Sequence, residues 1–246
     1  MEKTTRIDAL NLVTIATTDW VNGHLVRWLR IAKGSNPTAN LYLYYIGDKF
    51  DERFPGLRNE FVKVIDLPLE GRPQFNRIRM SATTDFGVDE IIYIDADADI
   101  IAPLDGIADG LRDDCTLACV ESPAVHKDWM KTSRENEFDT REFNNGLLLM
   151  RDDWGERYDL AVKAVDESGA SPRIAGTIAF NWMLNTNEGW GELDPSYGVI
   201  WWDVARFLGA KVVQYCNDKG QAKQMLMEEE YRASRVKREV STEVSK

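Results

Sequence analysis

A chain of 246 residues, 43% hydrophobic and 29% charged, can bury a sizeable core in one or two domains and is neither fibrous nor a disordered tail. Its 41 Asp and Glu outnumber 30 Lys and Arg, and a formal net charge of −11 excludes a broad basic footprint for nucleic acid. Three cysteines without a second close pair, two histidines and no apolar run near the ~20 residues that span a bilayer exclude a disulfide framework, a Cys/His zinc site and a membrane helix, and favour a soluble protein in a reducing cytoplasm.

In chain order, Met1–Leu10 lacks the apolar core of a signal peptide. Asn11–Thr17 reads as a buried strand, and Val21–Lys33 as a helix with Val21, Leu25, Trp28 and Leu29 on its apolar face. Strands are predicted at Leu41–Ile46 and Phe61–Leu67, a helix at Phe75–Phe86, and a fourth strand at Glu90–Ile94 that runs straight into acidic residues. Cys115–Val120 is a further strand. The polar stretch Glu121–Arg141 lacks periodicity and reads as a long loop or lid over a site. Phe143–Arg151 returns to strand, Trp154–Glu167 and Gly176–Leu184 read as helices, and Val212–Cys216 as a short strand after the aromatic-rich Trp190–Trp202. Gln221–Val240, charged and free of proline, reads as a peripheral, solvated helix. Strands alternating with helices indicate the α/β class.

The most informative segment is Ile91–Ile101, IIYIDADADII. On an extended strand Asp95, Asp97 and Asp99 share a face about 6.6 Å apart, so compact coordination requires the strand to end and curl there. Carboxylates about 4 Å apart repel by roughly 1 kcal/mol in water and roughly 4 kcal/mol at an effective dielectric of 20, which a divalent cation reverses. Oxygen-only ligands suit Mg2+ or Mn2+ shared with substrate phosphates. An EF-hand needs Gly and Glu where this chain has Ile100 and Gly106, and no G-x-G-x-x-G follows the first strand. A solvated turn after a buried strand fits the spacing equally well.

The strand ending Y-I-D-A-D, followed about fifty residues later by F-N-N-G and another apolar strand, resembles the metal-dependent GT-A glycosyltransferases over roughly Leu12–Lys219. The resemblance is strongest to the retaining, family 8-like group of glycogenin and bacterial lipopolysaccharide galactosyltransferases. It implies a Rossmann-like three-layer α/β sandwich with a mixed central sheet, residues 1–220 forming one catalytic domain and 221–246 a charged helix or tail. Asp95 and Asp97 match the D-x-D that binds Mn2+ (or Mg2+) across the diphosphate of a nucleotide sugar, with a UDP-hexose the favoured donor. Thr17 and Asp19 match the base-binding loop and Trp20 its stacking aromatic. Arg79 matches a basic residue that reaches the donor, with Arg77 competing for the role, and Asn144 matches an asparagine near the donor sugar.

The departures are specific. Gly176-Thr177 falls where the family carries Asp-Gln ahead of an Asn matched by Asn181, Gln214 falls where it has a metal-binding His, and Lys219 lies near its C-terminal Lys without the Pro-Trp that follows. Asp218 is a candidate substitute ligand, and Leu193–Tyr197 resembles an acceptor-side segment with Tyr197 a candidate sugar platform. The implied reaction is hexose transfer with retention to an acceptor hydroxyl, on a glycan or glycoconjugate rather than a modified DNA base, which the net charge disfavours. Asn144 and Asp152 are the candidate catalytic groups, with Asp153 and Glu142 also close in sequence. The replacements at Gly176-Thr177 and Gln214 motivate an alternative, a catalytically decayed binding or scaffold protein. A nucleotidyltransferase is disfavoured by the missing glycine-rich phosphate loop.

Overall fold

The computed structural model describes residues 9–67, 75–109, 111–121, 143–167, 175–201, 209–215 and 220–231. Its strands, in chain order, are β1 (Asn11–Thr17), β2 (Asn40–Ile46), β3 (Lys63–Leu67), β4 (Ile91–Ile94), β5 (Ala98–Ile100), β6 (Leu117–Glu121), β7 (Phe143–Met150), β8 (Trp190–Glu192), β9 (Val199–Ile200) and β10 (Val212–Gln214). Seven of them form a mixed sheet in the order β3-β2-β1-β4-β7-β6-β8. The first four are parallel, β7 is antiparallel to β4 and β6, and β8 is parallel to β6. β1 and β4 are central and covered on both faces, which is why both are near-continuous apolar runs rather than alternating ones.

Period-two alternation sorts their side chains between two cores. Leu12, Ile92, Ile94, Leu147 and Leu149 face Leu25, Trp28 and Leu29 of a helical layer, whereas Val13, Ile15, Tyr93, Leu148 and Met150 face Met80, Trp154, Phe180 and Met183 of the other. Each such aliphatic side chain contributes about 1.5–3 kcal/mol by leaving water. The first layer holds α1 (Val26–Ser35), preceded by a π-helical turn at Val21–Leu25. The second holds α2 (Phe75–Met80), α3 (Ala82–Phe86), α4 (Gly155–Glu167) and α5 (Ala175–Thr186). The single helix expected over Phe75–Phe86 is broken at Ser81, and α3 ends on Gly87, whose φ of +70° suits a residue without Cβ. The three-layer α/β sandwich expected from the resemblance is the architecture found.

A smaller sheet pairs β5 antiparallel with β10 and β10 parallel with β9, which returns the late strand β10 to the residues just past β4. A further helix, α6, spans 220–231. The sequence gives it a peripheral, solvated character, yet Gln224 is fully buried and Glu228 is 2% exposed. The reason is that much of its inward face, Gln221, Gln224 and Glu228, is polar, and an apolar stripe is the signal by which a docked helix is recognised. Among the described residues no helix is long and apolar enough to cross a membrane. The expected lid over Glu121–Arg141 lies outside the described residues apart from Glu121.

Candidate functional site

In an open α/β sheet the crevice outside the carboxyl ends of parallel strands is where ligands bind. Here β1 ends at Thr17 and β4 at Ile94, side by side. Asp95 leaves the sheet with its backbone N–H donating to the Gly146 carbonyl at 2.8 Å, and Ala98 N–H closes a turn onto the Asp95 carbonyl at 3.0 Å. That turn separates Asp99 from the other two aspartates. Asp95 and Asp97 line a cavity of about 220 Å³ together with Thr17, Trp20 and Arg79. Asp99 is instead 2% exposed on β5, held by Arg27 Nε at 2.8 Å and Nη2 at 2.5 Å, with Gln224 Nε2 at 3.0 Å. The shared face of an extended strand therefore holds for none of the three pairs, because the strand stops one residue before the first aspartate.

Each of the two cavity carboxylates is held from a different direction. Asp95 Oδ1 accepts from the Tyr93 hydroxyl at 2.5 Å and lies 3.5 Å from Arg79 Nη2. The buried Arg79 guanidinium sits 4.5 Å from the Tyr93 ring centroid and donates to the Asn145 carbonyl. Asp97 Oδ2 accepts from Gln221 Nε2 of α6 at 3.0 Å. Burial, then the adjacent Asp95 charge, raises the Asp97 carboxyl to about 7. Burial likewise pushes the Tyr93 phenol well up, so it remains a donor.

The FNNG segment opens β7 directly behind this pair. A Cβ on Gly146 would lie 2.8 Å from Asp95 Oδ2 and 3.0 Å from Gln214 Nε2, so glycine lets the strand pass there without displacing Asp95. Asn144 Oδ1 accepts from Gly146 N–H at 2.8 Å, and its Nδ2 donates to Gln214 Oε1. That chain of bonds orients Gln214 and leaves its Nε2 buried with no hydrogen-bond partner among the described residues. An amide nitrogen donates and does not coordinate, so Gln214 offers a cation only the second lone pair of Oε1. Two carboxylates on one turn, one of them burdened by the other's charge, suit a hard divalent cation. Among the described residues no group of three or more His, Cys, Asp or Glu is placed to hold a metal.

Other residues singled out in the sequence go elsewhere. Asp152 is exposed beyond Met150, and the antiparallel register of Ile94 with Leu147 and Ile91 with Met150 carries it to the end of the sheet opposite Asp95. Closeness to FNNG along the chain misled because β7 itself intervenes. Asp153 accepts from Gly155 N–H at 2.7 Å at the start of α4, and Arg77 bonds Asp159 at 2.9 Å, so neither joins the cavity. Asp19 is exposed and does not line it. Tyr197 is 3% exposed and bonded to Lys211 at 2.6 Å, a packed side chain rather than a sugar platform. Asn181 accepts from Phe143 N–H at 2.7 Å and so anchors the start of β7, while Gly176 accepts from the Tyr158 hydroxyl at 3.4 Å. Lys219, Asp218 and Glu142 lie outside the described residues. Two contributors were missed: Tyr93, which shares the i, i+2 relation with Asp95, and Gln221, for which apolar periodicity carries no signal.

No family model matches this sequence, and no curated protein does. Solved structures match in fold. The galactosyltransferase LgtC in complex with donor and acceptor sugar analogs has a TM-score of 0.63 and 13% identity, over 85% of this chain and 88% of that one. The apo form of the glycosyltransferase GlyE of Streptococcus pneumoniae TIGR4 has a TM-score of 0.60 and 15% identity, over 86% of this chain and 55% of GlyE. The bifunctional glycosyltransferase WbbM in its apo form has a TM-score of 0.59 and 13% identity, over 87% of this chain and 47% of that one. This chain thus spans about half the length of the latter two.

Proposed function

We propose that this chain, which has the GT-A fold of those glycosyltransferases, is a metal-dependent glycosyltransferase that moves a hexose from a UDP-sugar to an acceptor hydroxyl with retention. One observation carries the reading: Asp95, Asp97, Arg79, Thr17 and Trp20, distant in sequence, line one cavity at the carboxyl ends of β1 and β4. Asp95 and Asp97 are the residues that would hold Mn2+ or Mg2+, whose charge would offset the negative charge that builds on a departing diphosphate. Arg79 contributes a fixed positive charge beside Asp95 and cannot lose it at any working pH. Trp20 offers a ring face for the base and Thr17 a hydroxyl.

Asn144 holds the Gln214 carbonyl, and the unpartnered Gln214 amide nitrogen is then a donor for an anionic oxygen or a sugar hydroxyl. The orphan group costs about 1–3 kcal/mol while unmade, which a ligand recovers. Lys219 keeps the role the resemblance implies, a second cation on the leaving group. With Asp152 at the far end of the sheet, the protein groups assigned to the sugar are Asn144 and Gln214. The acceptor is a glycan or glycoconjugate.

The occupied carbonyl of Gln214 also favours a second reading, a GT-A-fold protein that binds a nucleotide weakly and turns nothing over. Calorimetry with UDP and GDP, in Mn2+ and in EDTA, on the wild type and on Asp97→Ala separates them. Metal-dependent UDP binding that is lost in the variant, followed by hydrolysis of a UDP-hexose, supports the enzyme. Binding without hydrolysis or transfer supports the scaffold. No binding of either nucleotide with any divalent ion refutes the donor site and leaves only a scaffold on this fold.

A further inference from the structure

The helix α6 presents a polar stripe at helical spacing to the rest of the molecule, beside the packed side chains of Met225 and Met227. Gln221 bonds Asp97 at 3.0 Å, Gln224 bonds both Asp99 at 3.0 Å and His24 at 2.5 Å, and Glu228 bonds Arg30 at 2.6 Å. Met225 lies against Gly23, where a Cβ would meet its sulfur at 2.7 Å. Buried polar pairs of this kind add little net stability, since desolvation offsets most of their attraction, but each is directional. Such a stripe registers the helix against its partners, and the first of those partners is a cavity carboxylate.

Asp95 is fixed from the sheet side by Tyr93 and Arg79, whereas the only side-chain hydrogen bond to Asp97 among the described residues comes from Gln221. Without it the Asp97 carboxylate would keep only a hydrogen bond from its own backbone N–H, and a two-carboxylate site held so loosely loses its preformed spacing. We infer that α6 is part of the cation and donor site, and that Gln221 is the positioning residue that holds Asp97 in register with Asp95. This rests on the donor-site reading above. It adds a residue of α6 to a site otherwise built from the ends of β1 and β4 and from Arg79 of α2.

Electron paramagnetic resonance of Mn2+, whose free-ion signal disappears on binding, reads the proposal without any turnover. Gln221→Ala is expected to weaken Mn2+ binding by roughly tenfold or more, the usual loss when a partner of a metal-binding group is removed. Gln221→Glu places a third carboxylate at Asp97 and is expected to tighten Mn2+ binding, a gain that a merely structural role for the helix does not produce. Glu229→Gln, on the exposed face of the same helix, leaves binding unchanged. By reciprocity, Mn2+ with UDP should slow amide hydrogen exchange in residues 220–231 of the wild type, a measurement that needs no variant to fold. Wild-type Mn2+ binding that is unaltered by Gln221→Ala, with no change in exchange of that helix, overturns this inference alone. A wild type that binds no Mn2+ overturns the donor-site reading and this inference with it.

Discussion

Gly146→Ala tests the site through sterics alone. The added Cβ would stand 2.8 Å from Asp95 Oδ2, 3.0 Å from Gln214 Nε2 and 3.1 Å from Gln214 Oε1, all closer than an unstrained contact. Gln214 is 5% exposed and cannot retreat, but the Asp95 side chain is 32% exposed and can swing outward. The fold then absorbs the strain at the low end of the usual overpacking cost of about 1–3 kcal/mol. About 1 kcal/mol corresponds to a fall in Tm of roughly 2–4 °C for a protein of this size. The site pays more, because Asp95 loses Tyr93 and Arg79 and its spacing to Asp97 together. UDP binding in Mn2+ should therefore weaken by at least tenfold, about 1.4 kcal/mol. Thermal melting and calorimetry on the same preparation give both numbers. Gly34→Ala is the companion: it lies in α1 with nothing within 4 Å of the new Cβ. It should add about 0.5–1 kcal/mol of stability and leave binding untouched. Wild-type affinity in Gly146→Ala would refute the claim that this glycine exists to let Asp95 and Gln214 close over the strand.

Three further outcomes are expected. The Asp97 carboxyl stands at about 7 in the fold, against 3.8 for a free one. Its contribution to the stability of the metal-free protein is thus complete below about pH 4 and lost as pH rises through about 7. A cation must displace that proton, so its affinity falls by up to about tenfold per pH unit below 7; the rise in Tm on adding Mn2+ should be larger at pH 8 than at pH 5.5, and equal shifts would count against this assignment. Arg27→Met strands the buried Asp99 and should cost about 3–5 kcal/mol in urea unfolding, with the double variant Arg27→Met/Asp99→Leu recovering much of it; a single-variant loss under about 1 kcal/mol would show the pair to be dispensable. Gln214→His exchanges an amide whose carbonyl is already engaged for a nitrogen that can coordinate, and should tighten Mn2+ binding by roughly tenfold in calorimetry. Unchanged or weaker binding would mean that position 214 does not face the cation.

The strands were legible because burial on both faces writes itself as an unbroken apolar run, as in LVTIA of β1 and IIYI of β4. The acidic turn was legible as composition but not as geometry: period-two logic puts Asp95, Asp97 and Asp99 on one face only while the strand continues, and it ends at Ile94. Arg79 and Arg77 are two apart in α2 and chemically alike, and nothing local says that one is buried against Tyr93 while the other reaches Asp159. Asp152 was misplaced because proximity along the chain ignores that β7, from Gly146 to Met150, runs away from the site to the opposite end of the sheet. Gln221 was unreadable for a different reason, since a helix that docks through amides and carboxylates has the same composition as one bathed in water.

The long-range bonds of α6 also set an order of events during synthesis. His24 and Gln224 are 200 residues apart, and Gln224 reaches Asp99 across 125. Closing so long a loop costs only slightly more entropy than closing a short one, so distance does not weaken the final contact. It delays it. At about 5–20 residues per second, the 125 residues between Asp99 and Gln224 take about 6–25 s to be made. Through that interval Arg27 can already neutralise Asp99, whereas Asp97 has no Gln221 to hold it. A nascent chain can therefore carry β1 to β4 paired while Asp97 still waits for its Gln221 partner until α6 has been translated.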